Sequence, residues 1–159
     1  MKRIKVLCIG NSLVADDAFG PQIYEYFSGR SYPEHVTFHL LGVGGLDLLG
    51  HFEGEDLVVV VDAMNTGKSP GTVRVIPWQQ IEKVDGAPVT SHDIGLDEVM
   101  KVGRKLQPEL MPEEVFFVGV EGKNFTGVGQ ALSKEVKAAF PIAVAEIERL
   151  LNGERPVSP

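Results

Sequence analysis

A single cysteine, Cys8, among 159 residues excludes an internal disulfide framework and suits a reducing cytoplasm. Its place inside the apolar run from Ile4 to Ile9 makes it a core thiol rather than a nucleophile. No apolar stretch approaches the ~18 residues a membrane span needs. Met1-Lys2-Arg3 leads at once into a short strand-like run, which does not read as a secretory leader. Basic residues are the minority, 15 Lys and Arg against 22 Asp and Glu, giving a net charge of −7. Such a chain is a poor nucleic-acid surface and a better partner for a metal ion, a basic peptide or a neutral protein. There is no internal repeat, low-complexity segment or heptad pattern, so a monomer is expected. Length and a 43% hydrophobic share fit one domain, set at 1–151, with 152–159 expected to be a disordered tail because it carries Gly153, Pro156 and Pro159.

The usual catalytic signatures are missing as well. Gly10-Asn11-Ser12 follows a strand, but the glycine spacing of a dinucleotide loop and the phosphate-loop lysine are both absent. Ser12 lacks the Gly-x-Ser-x-Gly elbow of a nucleophilic serine. No His-Glu-x-x-His occurs, which argues against an ordinary zinc peptidase.

What is present is a regular alternation of strand and helix patterns. Ile4 to Ile9, Val36 to Leu41, Leu57 to Val61, Val73 to Ile76 and Val115 to Val120 read as strands. The third is uniformly apolar and mostly β-branched, as a strand covered on both faces should be. Phe19, Ile23 and Phe27 recur every four residues in a helix running from Asp16 to about Ser28, with Asp16 or Asp17 as its cap and Pro21 in the first turn. Leu46 to His51 reads as a short helix and Gln79 to Pro88 as loop. Leu96, Val99, Met100 and Leu106 outline another helix. A last one starts near Ser133, with Pro141 either kinking it or opening a new one. The alternation predicts a three-layer α/β/α domain with a mostly parallel twisted sheet of about five strands.

In such sheets function collects at the carboxyl ends of the strands. Three ionisable residues stand at strand or loop ends: Asp17, Asp62 and His92. Each has a plain structural alternative. Asp16 or Asp17 can cap a helix, Asp62 can bond to turn amides, and His92 can bond to backbone at a helix start. His35, His39 and His51 have no comparable setting and read as surface or packing residues. Glu53, Glu55, Asp56, Asp93 and Asp97 read as solvated or capping. Together, two carboxylates and an imidazole can hold one divalent ion, and mixed nitrogen and oxygen ligation suits zinc, nickel, manganese or iron.

The chain resembles the hydrogenase maturation endopeptidases. The resemblance rests on an ordered set of short motifs: Gly10-Asn11-Ser12-Leu13 through Asp16-Asp17, Gly20 and Pro21; Gly44-Gly45 and Leu48-Leu49; Val61-Asp62-Ala63 with Pro70-Gly71-Thr72; Ser91-His92 with Leu96; Phe117-Val118-Gly119-Val120; then Gly129, Leu132-Ser133, Val136 and Pro141. It implies an endopeptidase that removes the C-terminal extension of a nickel–iron hydrogenase large-subunit precursor once nickel is in place. The nickel, presented by the substrate, would meet Asp17, Asp62 and His92, leaving Asp16 to support the turn. The chain departs from the family wording at Glu121-Gly122, where relatives have a proline after the acidic residue, and around Gly42 to Leu46. Two other classes compete. One is a non-catalytic nickel-binding or assembly module on the same fold; the other is a small-nucleotide or flavin domain using the Gly10 turn.

Overall fold

The computed structural model describes residues 1–42, 44–83 and 95–157. Five strands and three long helices alternate along the chain: β1 (Ile4–Ile9), α1 (Phe19–Ser28), β2 (Val36–Leu41), β3 (Leu57–Met64), β4 (Val73–Pro77), α2 (Leu96–Leu106), β5 (Glu114–Glu121) and α3 (Lys134–Leu151). Short 3-10 turns occupy Ala15–Ala18, Gly45–His51, Trp78–Lys83 and Pro108–Leu110. The strands form one sheet in the order β2-β1-β3-β5-β4. All neighbours are parallel except β4, which runs antiparallel along β5.

The two faces are read directly from the alternation within each strand. Val59, Val61 and Ala63 of β3 point to the side covered by α1 and α3, with Phe19, Ile23, Phe27, Val136, Ala143 and Ile147. Val58, Val60 and Met64 point to the other side, with Leu48, Trp78, Leu96, Val99 and Met100. Every residue of β1 and β3 is buried, which is why β3 carries no polar alternation. The three-layer α/β/α architecture expected from the sequence is therefore present.

Several local readings change. The turn Ala15–Ala18 precedes α1, and α1 begins at Phe19 with no side-chain cap bond, so neither aspartate caps it. β3 runs three residues past Val61 because Asp62, Ala63 and Met64 still pair with Gly119, Val120 and Glu121 of β5. Trp78–Lys83 is a 3-10 turn; residues 84–88 of the expected loop lie outside the described residues. α3 is one continuous helix with Pro141 inside it. Pro141 deprives the Lys137 carbonyl of its partner, but both residues are exposed, so water can serve that carbonyl. Glu55 is buried rather than solvated, pairing with Lys5 Nζ at 2.9 Å and accepting from Glu53 N. In the segment after α3, Arg155 grips both carboxylate oxygens of Glu114 at 2.8 and 3.0 Å.

Candidate active site

The chain leaves β1 through a turn that only glycine can make. Gly10 has φ +148, and a β-carbon there would lie 2.0 Å from the Asp17 carbonyl oxygen. Gly20 is equally constrained, since a β-carbon there would meet the Ile9 carbonyl oxygen at 2.0 Å. These two close approaches fold the start of α1 back onto the end of β1 and bring Asp17 to the rim. Between them Ala15 sits fully buried at φ +29, a left-handed conformation that disfavours a β-carbon and marks the turn as held by its surroundings.

What holds it is Asp16. Its carboxylate is completely buried and accepts four hydrogen bonds. Oδ2 takes Lys123 N at 2.8 Å, Asn124 N at 2.9 Å and Ser133 Oγ at 3.0 Å, and Oδ1 takes Ser133 N at 2.7 Å. Backbone bonds join the same two segments: Ala15 N donates to Gly127 O, Asp16 N to Asn124 O, and Gly129 N to Leu13 O. Asp16 thus ties the turn after β1 to the loop after β5 and to the start of α3. The sequence-based expectation that Asp16 supports the turn describes its role; the helix-cap alternative does not.

Asp17 is half-buried, and its Oδ2 accepts from Asn11 N at 3.1 Å. Asp62 lies where β3 outruns β1: β1 pairs with β3 only as far as Cys8 and Val61, so the turn carrying Asp17 faces Asp62 directly. Asp62 is fully buried and its Oδ1 accepts from Ala63 N at 2.8 Å. Burial, and next the charge of Asp17, push its carboxyl well above the ordinary aspartate range, against a smaller pull from the Ala63 amide. The pair stands at the gap between β1 and β3, where one connection leads to β2 and the next to the β5 side of the sheet. That is the topological switch point of a doubly wound sheet, where such folds bind ligands. Two close carboxylates, one of them desolvated, are a ready site for a divalent cation, because the cation offsets the repulsion and the burial together.

His92 lies outside the described residues, as do Ser91 and Asp93. Among the described residues no three His, Cys, Asp or Glu side chains converge on a point that could hold a metal ion. Cys8 is buried and its thiol pushed up to about 12 by burial, which agrees with an inert core role. The His39 and His51 rings lie 6.4 Å apart, tilted by 55°, and Lys5 Nζ donates to the His51 carbonyl and to Glu53.

Comparison with known proteins now adds a second line. The HycI hydrogenase maturation protease family model matches residues 21–150. The chain belongs to the hydrogenase maturation protease family. The hydrogenase expression/formation protein HupD of Rhizobium leguminosarum bv. viciae is 31% identical over 94% of this chain and 74% of its own length. The hydrogenase 2 maturation protease of Escherichia coli is 30% identical over 74% of this chain and 72% of its own length. Among solved structures, the E. coli hydrogenase maturating endopeptidase HybD superposes with a TM-score of 0.81 at 26% identity, covering 95% of this chain and 93% of that one. The [NiFe] hydrogenase maturation protease HybD of Thermococcus kodakarensis gives 0.71 at 27% identity, over 93% and 98%. The protein is accordingly a peptidase of this family, which sets the enzyme reading above a bare binding module. Asp62 and His92 fall within the family-matched segment, whereas Asp17 stands four residues ahead of it.

The role of Glu121 in the maturation protease's site region, and the partners through which Asp16 supports its turn, escaped sequence reading. Nothing local distinguishes Asp16 from Asp17, and the partners of Asp16 are more than 100 residues away. Glu121, expected in a loop, is the last residue of β5 and 1% exposed. Its carboxylate takes Thr66 N, Thr66 Oγ1 and Gly67 N at 2.6 to 2.8 Å. It thereby fixes the turn that follows Asp62.

Proposed function

We propose that this protease removes the C-terminal extension of a nickel–iron hydrogenase large-subunit precursor, and that it recognises nickel already seated in that precursor. The observation that carries the reading is the Asp17–Asp62 pair at the switch point, with Asp62 buried and its proton affinity raised by burial and by Asp17. His92 completes the proposed ligand set. Two carboxylates and one imidazole would leave coordination positions for the precursor's own ligands, so the protease would hold an ion that belongs to the substrate. A divalent ion at this rim supplies Lewis acidity toward a carbonyl or water. The protease's own residues supply position: Gly10 and Gly20 set the turn, Asp16 locks it, and Glu121 fixes the far side. The raised proton affinity of Asp62 means that protons would compete with the ion for its carboxylate. Recognition is therefore weakened by acid.

The test is the intact mass of large-subunit precursors after incubation with the protein, once loaded with nickel and iron and once without nickel. Loss of a C-terminal peptide from the nickel-loaded form alone is expected. Asp17→Asn, Asp62→Asn and His92→Ala should each abolish that loss while keeping the fold. Cleavage surviving all three substitutions, or equal cleavage of the nickel-free precursor, sinks the reading.

A further inference from the structure

Across the sheet from the carboxylate pair stands a cation with no ion-pair partner among the described residues. In β4, Arg74 pairs with Gly119 of β5, and Gly119 pairs in turn with Asp62 of β3. Cross-strand partners point to the same face, so Asp62, Gly119 and Arg74 form one row on the α2 side of the sheet. β4 is antiparallel to its neighbour, so its first residues lie at the carboxyl end of the parallel strands. Arg74 therefore belongs to the same rim as Asp17 and Asp62. Two strand spacings, about 10 Å, separate its α-carbon from that of Asp62. The space over Gly119 is filled by Met64 and Phe117, whose atoms would lie 2.4 to 2.7 Å from any β-carbon there. That apolar partition keeps the guanidinium away from Asp62, and Arg74 is not among the groups that perturb Asp62.

Arg74 Nη1 is buried and has no hydrogen-bond acceptor among the described residues. A guanidinium nitrogen with neither water nor an acceptor is energetically expensive. Glu121, on the same face of neighbouring β5, is already engaged with Thr66 and Gly67. In a chain of net charge −7, a half-buried arginine with no ion pair among the described residues is poised for an anion brought from outside. A planar guanidinium matches a carboxylate through two parallel hydrogen bonds.

We propose that Arg74 is a specificity residue that receives a carboxylate of the precursor, about three residues of extended chain from the point held by Asp17 and Asp62. The inference rests on the proposed cleavage of a hydrogenase precursor at that rim. The carboxylate belongs either to an acidic side chain near the cut or to the precursor's own C-terminus. Arg74 acts on binding and leaves the chemical step to the other end of the row.

The experiment is a double-mutant cycle on the processing reaction, with kcat and KM measured separately. Arg74→Gln should raise KM about 10- to 100-fold, the usual range for losing a charge-assisted bidentate contact, with kcat changed little. Arg74→Lys should recover part of that loss. The Asp and Glu residues flanking the cut are neutralised singly to Asn or Gln, and a precursor with an amidated C-terminus is tested in parallel. One of these changes should raise KM for the wild-type protease and have no further effect in Arg74→Gln, which identifies the carboxylate and its source. Thermal melting of each variant confirms the fold. The proposal is overturned if Arg74→Gln cleaves with unchanged KM, or if its loss is the same for every precursor and couples to none. It is equally overturned if the loss falls on kcat alone. Nickel dependence is read on the same precursors. If nickel-free precursor is cleaved normally, the metal-recognition reading fails while the Arg74 coupling is still measured. If nickel dependence holds and coupling is absent, only the Arg74 proposal fails.

Discussion

The adjacent aspartates Asp16 and Asp17 should respond to substitution in opposite ways, and the structure sets the size of the difference. Asp16 is a buried acceptor for four donors in two distant segments. A hydrogen bond to a charged group contributes roughly 1.5 kcal/mol or more, so four sum to about 6 kcal/mol even at the low end before any solvation of the freed donors is counted. All four donors, two on the loop after β5 and two on Ser133, are part-buried and can partly turn to water, which brings the expected loss for Asp16→Ala to about 3–4 kcal/mol. That is a large share of the ~5–15 kcal/mol that holds a domain together and corresponds to a Tm fall of roughly 10 °C at this size. Asp16→Asn should be intermediate, because its NH2 must face a donor whichever way the amide is turned. Asp17→Asn keeps an oxygen for Asn11 N and sits half-exposed, so its stability should move by less than about 1 kcal/mol while precursor processing stops. Urea titrations followed by circular dichroism, with the m-value checked for constancy, measure both changes. The reasoning is refuted if Asp16→Ala unfolds within about 1 kcal/mol of wild type, or if Asp17→Asn costs as much as Asp16→Ala.

Three further outcomes are expected. The raised Asp62 carboxyl makes the folded chain bind more protons than the unfolded one above the ordinary aspartate value, so this group's contribution to stability falls as pH rises through that window. Asp62→Asn should therefore be more stable than wild type at pH 8 in the presence of a chelator, with the gap closing toward pH 4; a gap that stays constant with pH would contradict the assignment. Gly10→Ala places a β-carbon 2.0 Å from the Asp17 carbonyl oxygen and should lose more than about 2 kcal/mol and shift the Asp17 turn; a urea midpoint equal to wild type would show that the turn yields. Cys8, buried and with its thiol pushed up to about 12, should resist iodoacetamide at pH 8 in the native protein and react once in guanidinium, as mass spectrometry would record; rapid native labelling would mean that β1 opens.

The layers and strands were legible because burial writes itself as composition. The unbroken valines of β3 and the four-residue stripe Phe19, Ile23, Phe27 are direct consequences of being covered on two faces or on one. The extra length of β3 was not legible, because Asp62 looks like a stop signal when it is in fact a paired strand residue held by β5. Antiparallel β4 carries the same β-branched residues as a parallel strand, so its direction left no trace in the sequence. Asp17 and Asp62 could be chosen as candidates from their places after strands, but the physical distinction between Asp16 and Asp17 depends on Lys123, Asn124 and Ser133. Only tertiary structure brings those groups to the turn.

The carboxylates of the site divide into two groups by what surrounds them. Asp16 and Glu121 are the carboxylates whose acceptor capacity is met by backbone and hydroxyl donors of their own chain. They belong to the scaffold and act on the rim by fixing its turns. The proposed working groups are those the fold leaves under electrical strain: Asp62 against Asp17, and Arg74 Nη1 without an acceptor among the described residues. A fold that buries such charges at one edge loses stability there, and the loss persists only where a ligand relieves it. On this view a single precursor would do so twice, with a cation at the Asp17–Asp62 end of the row and a carboxylate at the Arg74 end. Because each end discriminates against the charge the other accepts, the row would also fix the direction in which the precursor chain lies across the sheet.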